Sequence, residues 1–140
     1  MIRLTLIFLF LTVVVSVYGQ DYEVSTYDMN WYQASQYCKG NGKKLVKITD
    51  STQQTQAATY LNSQDTGGNR LFWTGLTDLA QEGRYQWEDG TLATYTNWYP
   101  GEPNDADGTS DCIHMDFGYK NRQWTDSNCY IPNAFAFCEN

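Results

Sequence analysis

The 140-residue chain has a single histidine, His114, and none of its four cysteines, Cys38, Cys112, Cys129 and Cys138, stands in a CxxC pair. A tetrahedral zinc site is therefore a poor explanation for the cysteines, and with His114 alone no nucleophile triad is visible. Basic residues are scarce as well: nine Lys and Arg against sixteen Asp and Glu leave a formal charge of −7. That balance repels a phosphate backbone and argues against nucleic acid as a partner. No internal repeat, collagen tract or heptad stalk occurs, so any avidity has to come from whole domains associating as a homo-oligomer. No N-x-S/T sequon occurs either, and N-glycosylation is not expected.

Long apolar runs are confined to the first residues. Arg3 precedes an unbroken run at 6–10 and a second at 13–15, followed by the small residues Ser16 and Gly19. This is the shape of a secretory signal peptide, and its apolar core is short for a bilayer span of about 20 residues. The expected organisation is a leader at 1–19 and one secreted, extracellular domain at 20–140, with no transmembrane segment. Loss of Arg3, the one charge in the leader, takes the net charge from −7 to −8. A domain of this size buries about two thirds of its unfolded surface and is helped by covalent staples. Outside the cell the four cysteines read as two disulfides, for which three connectivities exist.

The acidic excess is uneven. Lys39, Lys43, Lys44 and Lys47 sit early, whereas Glu102, Asp105, Asp107, Asp111, Asp116 and Asp126 gather late, with only Lys120 and Arg122 among them. Periodicity is uneven too. YEVSTYD at 22–28 alternates as a strand, and NWYQASQYCKGNG at 30–42 reads as a helix capped by Asn30, with Trp31, Ala34 and Cys38 on one face and a glycine exit. KLVKI at 44–48 is a second strand, and 50–64 a second helix carrying Ala58 and Leu61 inward. After RLFWTGL at 70–76 the helices stop, and RYQWEDG, CIHMDF, RQWTD and AFAFCE read as antiparallel strands separated by turn residues. Trp73, Trp87, Trp98 and Trp124 fall where core side chains belong, and His114 reads as structural.

Between Asp89 and Cys112 lies a long stretch with little periodicity, the kind of loop that is functional or disordered. Its end, GEPNDADGTSDC at 101–112, offers carboxylates, an amide and backbone carbonyls, the oxygen donors that calcium takes six to eight at a time. The spacing is not that of an EF-hand, because no Glu closes a twelve-residue loop.

Together these residues resemble a C-type lectin domain over essentially all of 20–140. FWTGLTD at 72–78 is similar to the WIGL segment of that family, EPN at 102–104 and WTD at 124–126 look like its calcium and sugar motifs, and the four cysteines match its short form. The resemblance implies an α+β, C-type lectin-like fold: two helices with antiparallel sheets, termini that meet, and a long calcium-binding upper loop. It also implies nested disulfides, Cys38 with Cys138 and Cys112 with Cys129. Such bridges close loops of about 100 and about 17 residues, worth about 4.7 and about 3 kcal/mol by chain entropy.

The resemblance further implies a primary calcium site in which Glu102 and Asn104 ligate the ion and hydrogen-bond two neighbouring hydroxyls of a sugar. Pro103 is expected behind a cis peptide, turning both side chains toward one ion. Thr125 and Asp126 carry over from the second motif, and Ser110 stands where the family has a carboxylate. The metal set is then Glu102, Asn104, Ser110 and Asp126, and the sugar set Glu102, Asn104, Thr125 and Asp126. An auxiliary calcium site carries onto Asp78, Glu82, Asp105 and Asp111. Asp107 and Asp116 read as solvated, while Tyr99, Ala106, Asn121 and Ser127 flank the site.

EPN in the family goes with mannose-type sugars, so the expected function is a secreted, calcium-dependent lectin for terminal mannose, N-acetylglucosamine or fucose, with glycans on cell surfaces or glycoproteins as partners. Because Ser110 and Thr125 depart from the family pattern, the alternative is a protein-binding module in which calcium is structural only. A glycoside hydrolase is disfavoured: its general acid needs a pKa raised in an apolar pocket, whereas these carboxylates crowd a polar loop.

Overall fold

The computed structural model describes residues 20–116 and 121–140. The expected leader at 1–19 and Phe117, the end of the expected strand CIHMDF, lie outside the described residues. Strand β1 (Glu23–Met29) leads into helix α1 (Trp31–Gly40), short strand β2 (Lys44–Leu45) and helix α2 (Ser51–Gln64). Strands β3 (Phe72–Thr77), β4 (Gln86–Trp87), β5 (Cys112–Met115), β6 (Trp124–Ser127) and β7 (Ala134–Glu139) follow.

Both helices start at side-chain caps. Asn30 Oδ1 accepts from Gln33 N at 2.9 Å while Gln33 Oε1 accepts from Asn30 N at 3.0 Å, a reciprocal capping box. Asp50 Oδ1 accepts from Gln53 N at 2.8 Å to open α2. Helix α1 buries Trp31, Ala34, Ser35 and Cys38, and α2 buries Gln54, Ala57, Ala58 and Leu61, in each case one face at helical spacing.

The sheet runs β1-β7-β3-β5-β6, with β2 added on β7 and β4 on β3. β1 pairs antiparallel with β7, Glu23 opposite Cys138, which brings the two ends of the domain together. The sheet is mixed rather than antiparallel throughout, because β3 and β7 pair parallel, Phe72 opposite Phe135. Parallel neighbours need a long crossover connection, so no local turn signal announces that ladder. The expected strand at 44–48 is cut to two residues for a local reason. Val46 N still reaches Phe137 O at 2.9 Å, but Lys47 N turns to the Glu139 carboxylate at 3.1 Å.

Alternation along the strands sorts the core into two clusters. Phe72, Leu76, Ile113, Met115, Trp124 and Phe137 pack with Ala57 and Leu61 of α2, whereas Trp73, Cys112, Ala136 and Cys138 pack with Trp31, Ala34 and Cys38 of α1. Cys38 bonds Cys138 and Cys112 bonds Cys129, spanning 100 and 17 residues, the nested pairing that the resemblance implied. Gly75 sits where β3 passes the 45–46 backbone: its N–H donates to Val46 O at 3.0 Å, and a Cβ there would stand 3.3 Å from Leu45 O. Trp73, Trp87 and Trp124 are buried and Trp98 is half-buried against that core. His114 is buried in β5 with its ring 5.5 Å from Trp73, and burial lowers its pKa to about 4, so it is a neutral core group at pH 7.

The approach to β6 is anchored by a buried ion pair. Arg122, fully buried, donates to Asp65 Oδ2 at 2.9 Å, Asn62 Oδ1 at 2.9 Å and Arg70 O at 2.8 Å, and its guanidinium lies 5.1 Å from the Phe72 ring centre. The same guanidinium reaches Asp116 O at 3.3 Å.

Candidate functional site

Two groups of carboxylates meet where β3 and β6 end and β5 begins. The first forms at the exit of β3. Asp78 N donates to Asp111 O at 3.1 Å, which ties the residue after β3 to the residue before β5. Asp78 Oδ2 accepts from Gly83 N at 2.8 Å, closing the turn that carries Glu82. Among the described residues Asp78, Glu82 and Asp111 bring three carboxylate oxygens within 4.8 Å of one another, a group able to hold a metal ion. Asp78 is 2% exposed, and its Oδ1 is buried without a hydrogen-bond partner.

Electrostatics record the crowding. Glu82 is held above the usual carboxylate range by the Asp78 charge first, with burial, Asp105 and Asp111 adding to it. Asp111 is raised by burial first, then by Asp78, Asp105 and Asp107. A buried carboxylate oxygen without a donor, beside two carboxylates raised by the charges around them, makes a setting that favours a positive charge. The residues thus fit a hard divalent cation, for which oxygen donors are the preferred ligands.

The second group is built on the loop 99–105. Tyr99 N donates to Trp124 O at 2.9 Å and Glu102 N to Tyr99 O at 2.9 Å, which moors the loop to β6. The Glu102-Pro103 peptide is cis, and Asn104 Nδ2 donates to Glu102 Oε1 at 2.9 Å. Asp126, buried in β6, accepts Asn104 N at 3.2 Å on one oxygen and Asp105 N at 2.6 Å on the other. Glu102 Oε2 is buried and has no partner. Burial, then the Asp126 carboxylate beside it, pushes the Glu102 pKa up to about 7. Glu102, Asn104 and Asp126 are thus brought together as the sequence led us to expect, with a second orphaned carboxylate oxygen among them.

The other expected residues sit differently. Asp105 links the two groups: its charge raises Glu82 and Asp111, yet its Oδ1 accepts from Ser110 N at 2.9 Å. Ser110 is buried, and its hydroxyl donates to Asp107 Oδ1 at 2.8 Å. Thr125 Oγ1 donates to Asp116 Oδ2 at 3.1 Å. Asp107 and Asp116, expected to be solvated only, therefore hold the two residues that depart from the family pattern. Asp107 also accepts from Thr109 N at 2.9 Å, and these bonds, the Ser110 hydroxyl first, keep its pKa low. Asp107 lies three residues before Ser110, within reach of a sequence argument about Asx turns. Asp116 meets Thr125 only through the β5–β6 register, which sets His114 opposite Thr125.

The sequence profile of the Lectin C-type domain matches residues 27–140. The human CD209 antigen is 35% identical over 124 residues, 86% of this chain and 28% of that protein. The mouse low affinity immunoglobulin epsilon Fc receptor is 35% identical over 115 residues, 78% of this chain and 32% of that protein. The chain thus spans about a third or less of the length of these two relatives. Among solved structures, the cow carbohydrate-recognition domain of CD23, determined in the presence of a GlcNAc2Man3 oligosaccharide, superposes with a TM-score of 0.72 at 30% identity, covering 86% of this chain and 87% of that one. The fold, the disulfides and the match over residues 27–140 agree, and the chain belongs to the C-type lectin family.

Proposed function

We propose that this is a secreted, calcium-dependent lectin that binds terminal mannose-type sugars, mannose, N-acetylglucosamine or fucose, on cell-surface or glycoprotein glycans. The observation that carries the reading is the pair Glu102 and Asn104: a carboxylate and an amide in mutual contact, backed by Asp126, with Glu102 Oε2 buried and unpartnered. Glu102, Asn104 and Asp126 would hold the primary calcium, and Asp78, Glu82, Asp105 and Asp111 the auxiliary one. When bound, calcium supplies a hard, incompletely filled coordination shell that accepts neutral hydroxyl oxygens. The Glu102 carboxylate then accepts from one hydroxyl of a vicinal pair, and the Asn104 amide donates to the other. The cow CD23 domain, determined in the presence of a GlcNAc2Man3 oligosaccharide, supports the same sugar class.

A glycan array run in calcium and in chelator tests this reading. Mannose-type spots should bind in calcium and clear in chelator; binding that ignores the chelator would sink it.

One observation favours the second reading, a protein-binding module with structural calcium. The Ser110 and Thr125 hydroxyls already donate to Asp107 and Asp116, outside the Glu102 group. The mouse relative is, by its name, a receptor for a protein ligand. An array blank at every glycan, together with a calcium-induced rise in melting temperature, selects that reading.

The raised Glu102 pKa makes the site acid-sensitive. A carboxylate whose folded pKa lies above its ordinary value adds stability below that ordinary value and loses it as pH rises through the folded one. With chelator present, the domain should therefore lose stability between about pH 4.5 and its folded pKa of about 7. Glu82 and Asp111 are raised as well and act in the same direction. Calcium must displace these protons, so the calcium-induced melting shift should shrink as pH falls from 7.5 to about 5.5. Thermal melts with and without calcium across that range measure both trends, and a calcium shift that grows on acidification contradicts the assignment.

A further inference from the structure

A second concavity, about 200 Å³ in volume, opens between α2 and the loop that leads to the Glu102 turn. Ser51, Thr55 and Thr59 line one wall at intervals of four, a single stripe of α2, and Tyr95, Asn97 and Asn121 line the other. Among the described residues that line it there is no Asp, Glu, Lys, Arg or His. The described lining is thus made of neutral hydrogen-bonding side chains, one aromatic ring and one methyl group.

The walls are held apart by the core rather than by a ligand. Trp124, fully buried, donates from Nε1 to Gln54 Oε1 at 2.9 Å and from its backbone N to Asn97 O at 2.8 Å, and the Tyr95 ring packs edge-on against it at 6.0 Å. Gln54 Nε2 also donates to Asn121 O at 2.6 Å. One indole and one buried amide therefore set both sides of the concavity before anything binds, which removes the ordering cost that weakens small sites.

The free hydrogen-bonding capacity is neutral and mixed. Thr55 Oγ1 donates to Ser51 O at 3.0 Å and Thr59 Oγ1 to Thr55 O at 2.7 Å, so both hydroxyls have spent their proton and offer acceptor capacity. Asn97 Nδ2 donates to Asn121 O at 3.2 Å, and its Oδ1 has no hydrogen bond among the described residues. The side chains of Asn121 and Ser51 make no hydrogen bond among the described residues, which adds donors of both amide and hydroxyl type. Ala58 and the Tyr95 ring supply apolar surface beside them. Alternating hydroxyl-sized donors and acceptors over a small apolar patch match one face of a pyranose, which carries equatorial hydroxyls around a C–H surface.

We propose that this concavity is a second, calcium-independent subsite for one neutral sugar ring. Its residues are separate from Glu102, Asn104 and Asp126, and it shares with them only Trp124 as a support. A glycan long enough to reach both would gain from effective concentration within a single domain, without oligomerisation.

The test is a titration of the full, isotopically labelled domain in chelator, followed by amide chemical shifts, with the methyl glycosides of glucose, mannose, galactose and N-acetylglucosamine as probes. At least one probe should give saturable shifts at residues 51–59 and 95–97, with a Kd on the order of 10 mM, as befits a few neutral hydrogen bonds. Thr55→Trp, at an exposed position of α2, fills the space and should abolish those shifts; Asn97→Ala, which keeps the backbone carbonyl that Trp124 uses, should weaken them about tenfold. Spectra of both variants should stay native elsewhere, which separates loss of binding from loss of fold. The proposal fails if no probe gives saturable shifts in chelator, or if Thr55→Trp leaves them intact. Shifts that need calcium and are confined to residues 102–126 would likewise refute it while leaving the proposed function standing.

Discussion

Exchanging Glu102→Gln together with Asn104→Asp is expected to reduce mannose-type binding about a hundredfold or more. The exchange retains an oxygen at both positions and leaves the net charge unchanged, so the calcium ligand set loses little. The loop is spared as well: Asn104 Oδ1 accepts from Ala106 N at 2.9 Å, and a carboxylate oxygen accepts that bond equally well. What changes is polarity toward the ligand, since the donor and acceptor trade places at both hydroxyls. Each mismatched group, desolvated by the sugar and left unpaired, costs about 1 to 3 kcal/mol. Two of them cost about 4 kcal/mol at the middle of that range, more than the roughly 2.7 kcal/mol that corresponds to about a hundredfold in affinity. Galactose-type binding should rise, as expected of a site that reads the arrangement of hydroxyls rather than their number. The calcium-induced melting shift from Asp78, Glu82 and Asp111 should persist, worth about 2.7 kcal/mol at a hundredfold excess of calcium over its Kd. Isothermal titration with both sugars and thermal melts in parallel measure all three. Unchanged mannose affinity would remove Glu102 and Asn104 from recognition, and a lost melting shift would mean that the two carboxylate groups act as one.

Arg122→Leu is expected to destabilise the domain by about 3 to 5 kcal/mol, the cost of stranding a buried charge, and to lower the melting temperature by on the order of 10 °C. Asp65 is 5% exposed and accepts from Arg122 Nη2 and from Arg70 N, so removing the guanidinium leaves its carboxylate charged in the interior. Burial alone would raise the Asp65 pKa; the Arg122 and backbone hydrogen bonds hold it below its usual value instead. A depressed carboxylate contributes stability above its unfolded pKa of about 4 and loses it as pH falls through the folded value. The gap between wild type and Arg122→Leu should therefore narrow below about pH 4. Asp65→Asn combined with Arg122→Met should cost less than Arg122→Leu alone, because no charge remains buried. Chemical denaturation at pH 7 and pH 3.5 measures the gap; an equal destabilisation at both would assign the loss to packing on Phe72 rather than to charge.

In the sequence Arg122 is one of two cations diluting an acidic region; its burial, its partner 57 residues away and its left-handed backbone, φ 45°, are legible nowhere in the chain. Nor does any spacing set Thr125 beside Asp116, or join Tyr95, Asn97 and Asn121 to a stripe of α2. These depend on which strands pair. Pairing is settled by total burial, with the parallel β3–β7 ladder requiring a crossover that no local segment encodes.

What the sequence determined by itself is local. Asn30 and Asp50 cap the helices because their side chains reach backbone N–H groups three residues on, and Trp31, Ala34 and Cys38 share a face because a helix turns every 3.6 residues. Likeness to a family pattern singled out both carboxylate groups from the sequence, Glu102, Asn104 and Asp126 through EPN and WTD, and Asp78, Glu82 and Asp111 beside them. Tertiary structure alone decided which oxygens are left orphaned and where the Ser110 and Thr125 hydroxyls turn. Those outcomes are differences between competing partners at distances near 3 Å, and partners 3 Å apart in space are brought there by the packing of the whole sheet, not by their neighbours in sequence.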